Sequence, residues 1–325
     1  MRVLFLGGAG MIGSAAAAAA VTRGAEVTIV TRSEPKRAVP EGVRALRADV
    51  RDATELHKAL GGEEFEAVVN WVGYVPDDVR EHPGLFDGSI GQYVYISTCS
   101  VFARPAPSLP ITESSPRRQP VFGYPRDKIA CELLLEEAYR ARGFPLTIAR
   151  PHHVYDRTVL PILSGWTAIE RMRAGKPVVV HGDGTSLWSL MHTRDFARAF
   201  VGLLGLGHAI GESVNVVGNE ILTWDQIHLE LAAAAGVRAP VLRHSSSEAI
   251  AEHVPGWREV LEHDFRHSML FDAAKLRRLV PGFAPEISFS EGAREVLAYH
   301  DAYPESRRIS QDLDRAFDAL TGGGP

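Results

Sequence analysis

Residues 2–13, Arg2-Val3-Leu4-Phe5-Leu6-Gly7-Gly8-Ala9-Gly10-Met11-Ile12-Gly13, contain the strongest fold signal in the chain. The apolar run at their start is typical of a buried parallel strand. An alanine-rich run from Ser14 to Val21 follows the glycines and predicts a helix that stops near Gly24. A strand, a glycine-rich turn and a helix in this order indicate dinucleotide binding, with the pyrophosphate at the helix N-terminus.

The glycines of this turn have separate expected roles. Gly7 permits the tight turn, Gly10 lets the backbone approach a pyrophosphate, and Gly13 permits close helix–strand packing. Met11 and Ile12 lie between the last two and belong to the predicted cofactor site. An export signal is the competing interpretation of this N-terminus, but the glycines interrupt the apolar region where a signal needs continuity.

Further apolar runs alternate with helical patterns along the chain, and this alternation predicts a doubly wound parallel α/β (Rossmann) sheet. The predicted strands after the first are Glu26 to Val30, Val43 to Leu46, Ala67 to Trp71, Tyr93 to Ser97, Leu146 to Arg150 and Ser213 to Val217. The predicted helices include Thr54 to Leu60 and Tyr124 to Arg142. We expect residues 1–155 to bind NAD(P), with contributions near 186–217, and residues 156–325 to form mainly a smaller substrate lobe.

Polar segments follow several predicted strands, and parallel strands place their carboxyl ends on one edge of the sheet, where ligands bind. These segments are the glycine turn, Asn70-Trp71-Val72-Gly73, Ser97-Thr98-Cys99 and Arg150-Pro151-His152-His153. Four strand ends are therefore expected to meet at one site.

Tyr124-Pro125-Arg126-Asp127-Lys128 supplies an acid/base pair if it is helical, because positions i and i+4 share a helix face. A phenol with its reference pKa of about 10 is a poor base near neutral pH. A neighbouring ammonium favours the phenolate and makes the pair usable in proton transfer.

Composition excludes several other classes of protein. The chain has 325 residues, 45% of them hydrophobic, and a formal net charge of −5, which gives no basic surface for nucleic acid. No apolar run is long enough to span a membrane, and two cysteines, Cys99 and Cys131, favour a reducing cytoplasm. His263 and His267 have i, i+4 spacing without the glutamate of a zinc site, so we expect no metal.

The ordered motifs resemble the extended short-chain dehydrogenases/reductases, the NAD-dependent epimerase/dehydratase family, from Val3 to about Tyr299. The resemblance implies that Tyr124 exchanges a proton with a substrate hydroxyl, that Lys128 lowers the pKa of Tyr124 and binds the nicotinamide ribose, and that Thr98 contacts the reacting oxygen. It also implies an adenine contact at Asp49. The remaining predicted cofactor contacts are Val50, Asn70, Trp71 and Pro151.

Departures from the family pattern bear on the cofactor. NAD-preferring relatives have an acidic residue after the second strand, whereas this chain has Thr31-Arg32-Ser33, with Lys36 and Arg37 close behind. A hydroxyl and a cation suit a 2′-phosphate, so NADP is favoured slightly over NAD.

Other departures bear on the substrate. The acidic pair of the 4,6-dehydratases is replaced by Cys99-Ser100, which argues against dehydration and leaves Cys99 as a packing residue or an acid/base group. Trp188 stands where the family has an arginine for a sugar-nucleotide pyrophosphate, and His153 replaces an asparagine. The predicted substrate contacts are Cys99, Ser100, His152, His153 and Trp188, with His181 and His192 as further candidates.

A short segment between the strands at Asn70 and Tyr93 resembles the chloroplast stem-loop-binding proteins and their bacterial relatives, and leaves the choice between monomer and homodimer open. Together these features predict NAD(P)-dependent oxidation, reduction or epimerisation of a secondary alcohol on a sugar or sugar-like molecule. The alternative is a non-catalytic RNA-associated or regulatory protein on the same fold.

Overall fold

The computed structural model describes residues 1–35 and 37–322. Lys36 and residues 323–325, which include part of the glycine-rich tail, lie outside the described residues. The strands are β1 (Arg2–Leu6), β2 (Glu26–Thr31), β3 (Val43–Arg47), β4 (Ala67–Asn70), β5 (Gln92–Ile96), β6 (Leu146–Pro151), β7 (Val154–Tyr155), β8 (Val178–His181), β9 (Leu187–Ser189), β10 (Met191–His192), β11 (Ser213–Val216), β12 (Ile221–Thr223) and β13 (Leu242–Ser245).

The helices lie between these strands and after them. They are α1 (Met11–Thr22), α2 (Ala53–Leu60), α3 (His82–Leu85), α4 (Gly123–Arg142), α5 (Gly165–Arg173), α6 (Thr193–Leu203), α7 (Trp224–Ala234), α8 (Ser247–His253), α9 (Arg258–Val260), α10 (Ala274–Leu279), α11 (Phe289–Ala302) and α12 (Gln311–Thr321). A π-helical turn, Leu261–Phe265, follows α9 directly.

Seven strands form one parallel sheet in the order β11-β6-β5-β4-β1-β2-β3. The order reverses at β1, which lies between β2 and β4, so this is the doubly wound sheet that the sequence predicts. All seven predicted strands are present, and each differs from the prediction by no more than about one residue at either end.

Both faces of the sheet are covered, as the continuous apolar strands require. Val3 and Phe5 of β1 pack in a core with α1 and α6, whereas Leu4 and Leu6 face a second core that includes α2 and α4. This alternation follows from the two-residue period of a strand.

The later elements build a third core around Trp188, Trp224 and Phe289. Three two-stranded sheets (β10–β7, β12–β9 and β13–β8) lie in this part of the chain, while β11 returns to the large sheet. The proposed boundary near residue 155 remains a prediction.

The connection between β4 and β5 is short, as the sequence indicates. It contains one 3₁₀ turn, Pro76–Asp78, and the four-residue helix α3. None of the described helices combines the length and the apolar character that a membrane span requires.

Candidate active site

The glycine turn between β1 and α1 is shaped to receive a ligand. A Cβ at Gly13 would lie 2.3 Å from the Gly8 carbonyl oxygen, so the turn and the helix can only approach this closely without a side chain. A Cβ at Gly10 would meet nothing within 4 Å, so the space above this residue is open. Gly10 is the N-cap of α1 and provides no side-chain cap, and the first turn has no acidic residue, which leaves its N–H groups available to an anion.

Trp71 adds a further feature that fits a bound dinucleotide. Its indole Nε1 is buried and has no hydrogen-bond partner among the described residues. Its ring lies beside the turn, where it would be 2.9 Å from a Cβ at Gly8. Both observations agree with the predicted cofactor contact at Trp71.

The outer end of the predicted cofactor site lies where β2 and β3 end. Arg32 follows β2, its side chain is 71% exposed, and its Nη1 lies 3.9 Å from Asp49 Oδ2. Arg37 is committed elsewhere, since its Nη1 lies 2.6 Å from Asp156 Oδ2 and its Nη2 donates to Thr158 Oγ1. Arg37 is therefore engaged with Asp156, whereas the Arg32 side chain remains largely exposed beside the ends of β2 and β3.

Two of the predicted cofactor contacts, Asn70 and Val50, do not line the cavity that lies beside the glycine turn. Asn70 is fully buried, and its Oδ1 accepts hydrogen bonds from the N–H groups of Val72 and Gly73 at 2.9 and 2.8 Å. Asn70 therefore shapes the loop that presents Trp71 and Val72, and a direct cofactor contact by its side chain does not fit this placement.

A cavity of about 410 Å³ collects the predicted catalytic residues. It lies at the carboxyl edge of β1, β4, β5 and β6, as the strand-end argument requires. Its lining residues are Gly8, Gly10, Met11, Ile12, Gly13, Trp71, Val72, Tyr74, Ile96, Ser97, Thr98, Tyr124, Lys128, Pro151, His153 and Val154.

Tyr124 and Lys128 lie one turn apart near the start of α4, on the face that borders this cavity. Burial raises the pKa of Tyr124 to about 12, and the Thr98 side chain lowers it in part. Lys128 is not among the groups that shift this pKa, and the predicted lowering of the pKa of Tyr124 by Lys128 remains a prediction.

Lys128 is buried and holds two strand-end loops together. Its Nζ donates to the backbone oxygens of Gly73 and Ile96, both at 2.8 Å. The ammonium also lies 4.9 Å from the ring centre of Tyr74 and 5.0 Å from that of Tyr95. Burial lowers the pKa of Lys128 to about 8.

Glu132 lies one further turn along α4 and was missed by the sequence analysis. Its carboxylate accepts hydrogen bonds from Arg150 Nε at 2.8 Å and Nη2 at 2.9 Å, and from Arg117 Nη1 at 2.6 Å. The i+4 spacing from Lys128 was the available signal, because it places Glu132 on the same inward face. The ion pair between Glu132 and Arg150 fixes α4 to β6.

The residues after Thr98 do not face the cavity. Cys99 is fully buried, its Sγ donates to the Arg150 backbone oxygen at 3.1 Å, and burial raises the pKa of the thiol well above its usual value. This supports packing and contradicts the predicted substrate contact at Cys99. Ser100 Oγ donates to Asp264 Oδ2 at 3.1 Å, so its predicted substrate contact would require this bond to break.

A second buried ion pair, also unforeseen from the sequence, joins this loop to the C-terminal part of the chain. Arg104 Nε donates to Asp264 Oδ1 at 2.6 Å, and Arg104 Nη1 donates to the Phe102 backbone oxygen at 2.6 Å. Asp264 belongs to the π-helical turn after α9. The pair therefore anchors the loop that carries Thr98.

The predicted substrate residues around β6 and β9 have three different surroundings. His153 is half-buried and lines the cavity. His152 is buried, its Nδ1 lies 2.9 Å from the Ser189 backbone oxygen, and its ring contacts Trp188 and Phe271. Trp188 is only 1% exposed, so the predicted substrate contact at Trp188 is wrong.

The other candidate histidines lie outside this cavity. His181 Nε2 lies 3.1 Å from the Phe265 backbone oxygen, and His192 Nδ1 accepts from the Arg194 N–H at the start of α6. His192 borders a separate cavity of about 530 Å³, which contains none of the predicted catalytic residues. Within residues 1–35 and 37–322, no three His, Cys, Asp or Glu side chains gather as a metal site.

Comparison with known proteins agrees with this geometry. The NAD dependent epimerase/dehydratase family matches residues 3–87 and 84–217. The chloroplast stem-loop binding protein of 41 kDa b from Arabidopsis thaliana is 24% identical over 304 residues, which cover 90% of this chain and 77% of that protein. The 2′-dehydrokanamycin reductase of Streptomyces kanamyceticus is 26% identical over 293 residues, which cover 87% of this chain and 80% of that enzyme.

Solved structures share the fold. The dTDP-glucose 4,6-dehydratase from Bacillus anthracis, in complex with NAD, superimposes with a TM-score of 0.75 at 17% identity, covering 94% of this chain and 98% of that one. The UDP-glucuronic acid 4-epimerase from Bacillus cereus, in complex with UDP-glucuronic acid and NAD, superimposes with a TM-score of 0.74 at 20% identity, covering 93% of this chain and 99% of that one.

Proposed function

The chain belongs to the NAD-dependent epimerase/dehydratase family, and we propose that it oxidises, reduces or epimerises a secondary alcohol on a sugar or sugar-like substrate. The observation that carries this proposal is the meeting of Thr98, Tyr124 and Lys128 with the glycine turn around one cavity.

A nicotinamide cofactor, when bound, supplies a hydride acceptor or donor at the substrate carbon. Tyr124 would take the hydroxyl proton as the carbon–hydrogen bond breaks, and would return it in the reverse direction. Thr98 would hold the reacting oxygen beside the phenol. Burial raises the pKa of Tyr124, and the Thr98 side chain, which lowers it in part, would assist the phenol in this proton transfer.

The walls of the cavity favour an uncharged substrate. Lys128 is the one cationic side chain among the described lining residues, and it donates to two backbone oxygens. No carboxylate lies among these lining residues either. Hydroxyl and carbonyl oxygens are therefore the groups that this site is best suited to bind.

For the cofactor, we propose that Arg32 binds a 2′-phosphate and favours NADP. Its exposed guanidinium and the hydroxyls of Thr31 and Ser33 support this assignment, because a charged donor strengthens hydrogen bonds to phosphate. The neighbouring Asp49 carboxylate opposes it, and the two solved relatives described above contain NAD.

The test is turnover of a panel of sugars and keto-sugars, with and without nucleotide groups, by wild-type protein and Tyr124→Phe. We expect the wild type to interconvert at least one alcohol–ketone pair and Tyr124→Phe to be slower by about 10² to 10⁴, while it still binds cofactor. Wild-type turnover by Tyr124→Phe would contradict the assigned role.

One observation favours a second candidate function, because one relative is named as a stem-loop binding protein. RNA binding with no nicotinamide binding would support a non-catalytic role on the same fold. The intact Tyr124–Lys128 pair in the cavity favours the enzyme.

A further inference from the structure

Two residues that depart from the family pattern, Trp188 and His153, are hydrogen-bonded to each other. The indole Nε1 of Trp188 donates to Nδ1 of His153 at 2.6 Å. Trp188 is buried, and His153 lies between it and the cavity.

This bond determines the protonation of His153. An indole N–H can only donate, so Nδ1 must be the unprotonated acceptor, and a neutral ring then carries its proton on Nε2. Burial lowers the pKa of His153 to about 4, so the ring is neutral at ordinary pH. Among the described residues, the bond from Trp188 is the one side-chain hydrogen bond of this ring, which leaves Nε2 free to donate into the cavity.

Aromatic packing holds the Trp188 ring in place, and an unusual backbone conformation positions His153. The Trp188 ring packs against His152, Phe265 and Trp224, with ring centres 4.6, 4.8 and 5.3 Å apart. His153 has φ of +26°, a backbone conformation that residues with a Cβ seldom adopt. Such strain persists where the surroundings enforce it, which is common at ligand sites.

We propose that Trp188 is a positioning residue that fixes His153 as an Nε2–H donor to a hydroxyl or carbonyl oxygen of the substrate, in a cavity that favours uncharged substrates because Lys128 is the one cationic side chain among its described lining residues. The proposal rests on the proposed function and names its substrate class. Once the substrate covers this donor, an analogue that lacks the matching oxygen binds poorly, because the donor is then left unpaired.

A diphosphate would need cationic partners, whereas Trp188 is uncharged and Lys128 is the one cation among the described lining residues of the cavity. The nearby cavity bordered by His181, Trp224 and Phe265 has a volume of only about 30 Å³, which is too small for a nucleoside. We therefore expect the substrate to lack a nucleoside diphosphate.

The first test is nitrogen NMR of the histidine side chains in the NAD(P)-loaded protein, with the His153 signal assigned by its loss in His153→Asn. We expect His153 to carry its proton on Nε2 in the wild type, and expect Trp188→Phe to allow proton exchange between the two nitrogens. Trp224→Phe is the matched control, because its buried Nε1 has no hydrogen-bond partner among the described residues. It should leave His153 protonated on Nε2, although the loss of a neighbouring ring shifts the signal.

An Nδ1–H form of His153 in the wild type would overturn the proposal, and this result does not depend on whether the variants fold. An unchanged His153 signal in folded Trp188→Phe would overturn the positioning role.

The second test uses an alcohol that the wild type oxidises. We expect Trp188→Phe to raise KM about five- to tenfold with kcat changed by less than about twofold. An unchanged KM would overturn the selectivity claim, as would saturable micromolar binding of UDP by the cofactor-loaded wild type. If the wild type neither oxidises nor epimerises any alcohol and reduces no ketone, the proposed function fails, while NMR still decides the tautomer.

Discussion

The Glu132 carboxylate and the Arg150 guanidinium form an ion pair at 2.8 Å in which neither side chain is more than 1% exposed. Burial alone would raise the pKa of Glu132, but Arg150, together with Ser97 and Arg117, more than offsets this and holds the pKa below its usual value. The pair connects α4, which carries Tyr124 and Lys128, to β6, which ends beside the cavity.

Removing one member of this pair should be costly, because it leaves an uncompensated charge in the core. We expect Glu132→Gln to lower the free energy of unfolding by about 3 to 5 kcal/mol in urea titrations. Glu137→Gln is the matched control, since the Glu137 side chain is 70% exposed in its pair with Arg140, and should change stability by less than about 0.5 kcal/mol. Equal effects of the two changes would contradict a structural role for the buried pair.

Lys128 should make stability depend on pH. Its pKa is about 8 in the folded protein, against 10.5 for an ordinary lysine, so the unfolded chain binds more protons between these values. Stability contributed by Lys128 therefore rises with pH across this window, by up to about 1 kcal/mol per pH unit. Urea titrations from pH 7 to 10 should show that wild type gains stability relative to Lys128→Met. Lys58→Met, which removes an exposed lysine, controls for loss of charge. If wild type gains as much stability relative to Lys58→Met as relative to Lys128→Met, the assignment is refuted.

Arg32 should distinguish the two nicotinamide cofactors. Loss of a charge-assisted bond to a 2′-phosphate should weaken NADP binding by Arg32→Ala about tenfold or more and leave NAD binding nearly unchanged. Calorimetric titration with each cofactor measures both affinities. Arg37→Ala, which breaks the pair with Asp156, is the comparison, and an equal loss for NAD and NADP in Arg32→Ala would exclude recognition of the 2′-phosphate.

The glycines of the turn should separate folding from binding. A Cβ at Gly13 would lie 2.3 Å from a backbone oxygen, so Gly13→Ala should destabilise the protein by about 1 to 3 kcal/mol. Gly10 has φ of −85° and open space at its Cβ, so Gly10→Ala should fold normally and bind cofactor at least about tenfold more weakly. Undiminished cofactor binding by Gly10→Ala would place the pyrophosphate elsewhere.

The sheet could be predicted from the sequence because its strands are short apolar runs between glycines and polar residues. The Tyr124–Lys128 pair and the four strand ends could also be predicted, because each depends on spacing within a short stretch of sequence.

The contacts that complete the site join distant parts of the chain and leave no local pattern. Arg104 and Asp264 are separated by 160 residues, and Arg37 and Asp156 by 119. The burial of Trp188 depends on Trp224 and Phe265, which approach it only in the folded protein, so its neighbours in the sequence give no sign that it cannot contact a substrate.

The central claim is that the cavity beside the glycine turn binds a nicotinamide cofactor. The most direct test is titration of the purified, cofactor-stripped protein with NADH and NADPH, in which binding is detected by energy transfer from tryptophan to the reduced nicotinamide. Trp71 lines the same cavity as the glycine turn, so a bound nicotinamide should quench its emission. We expect saturable binding of at least one cofactor with a Kd of roughly 0.1 to 100 μM. No saturable binding of either one up to about 1 mM would contradict the assignment of this site.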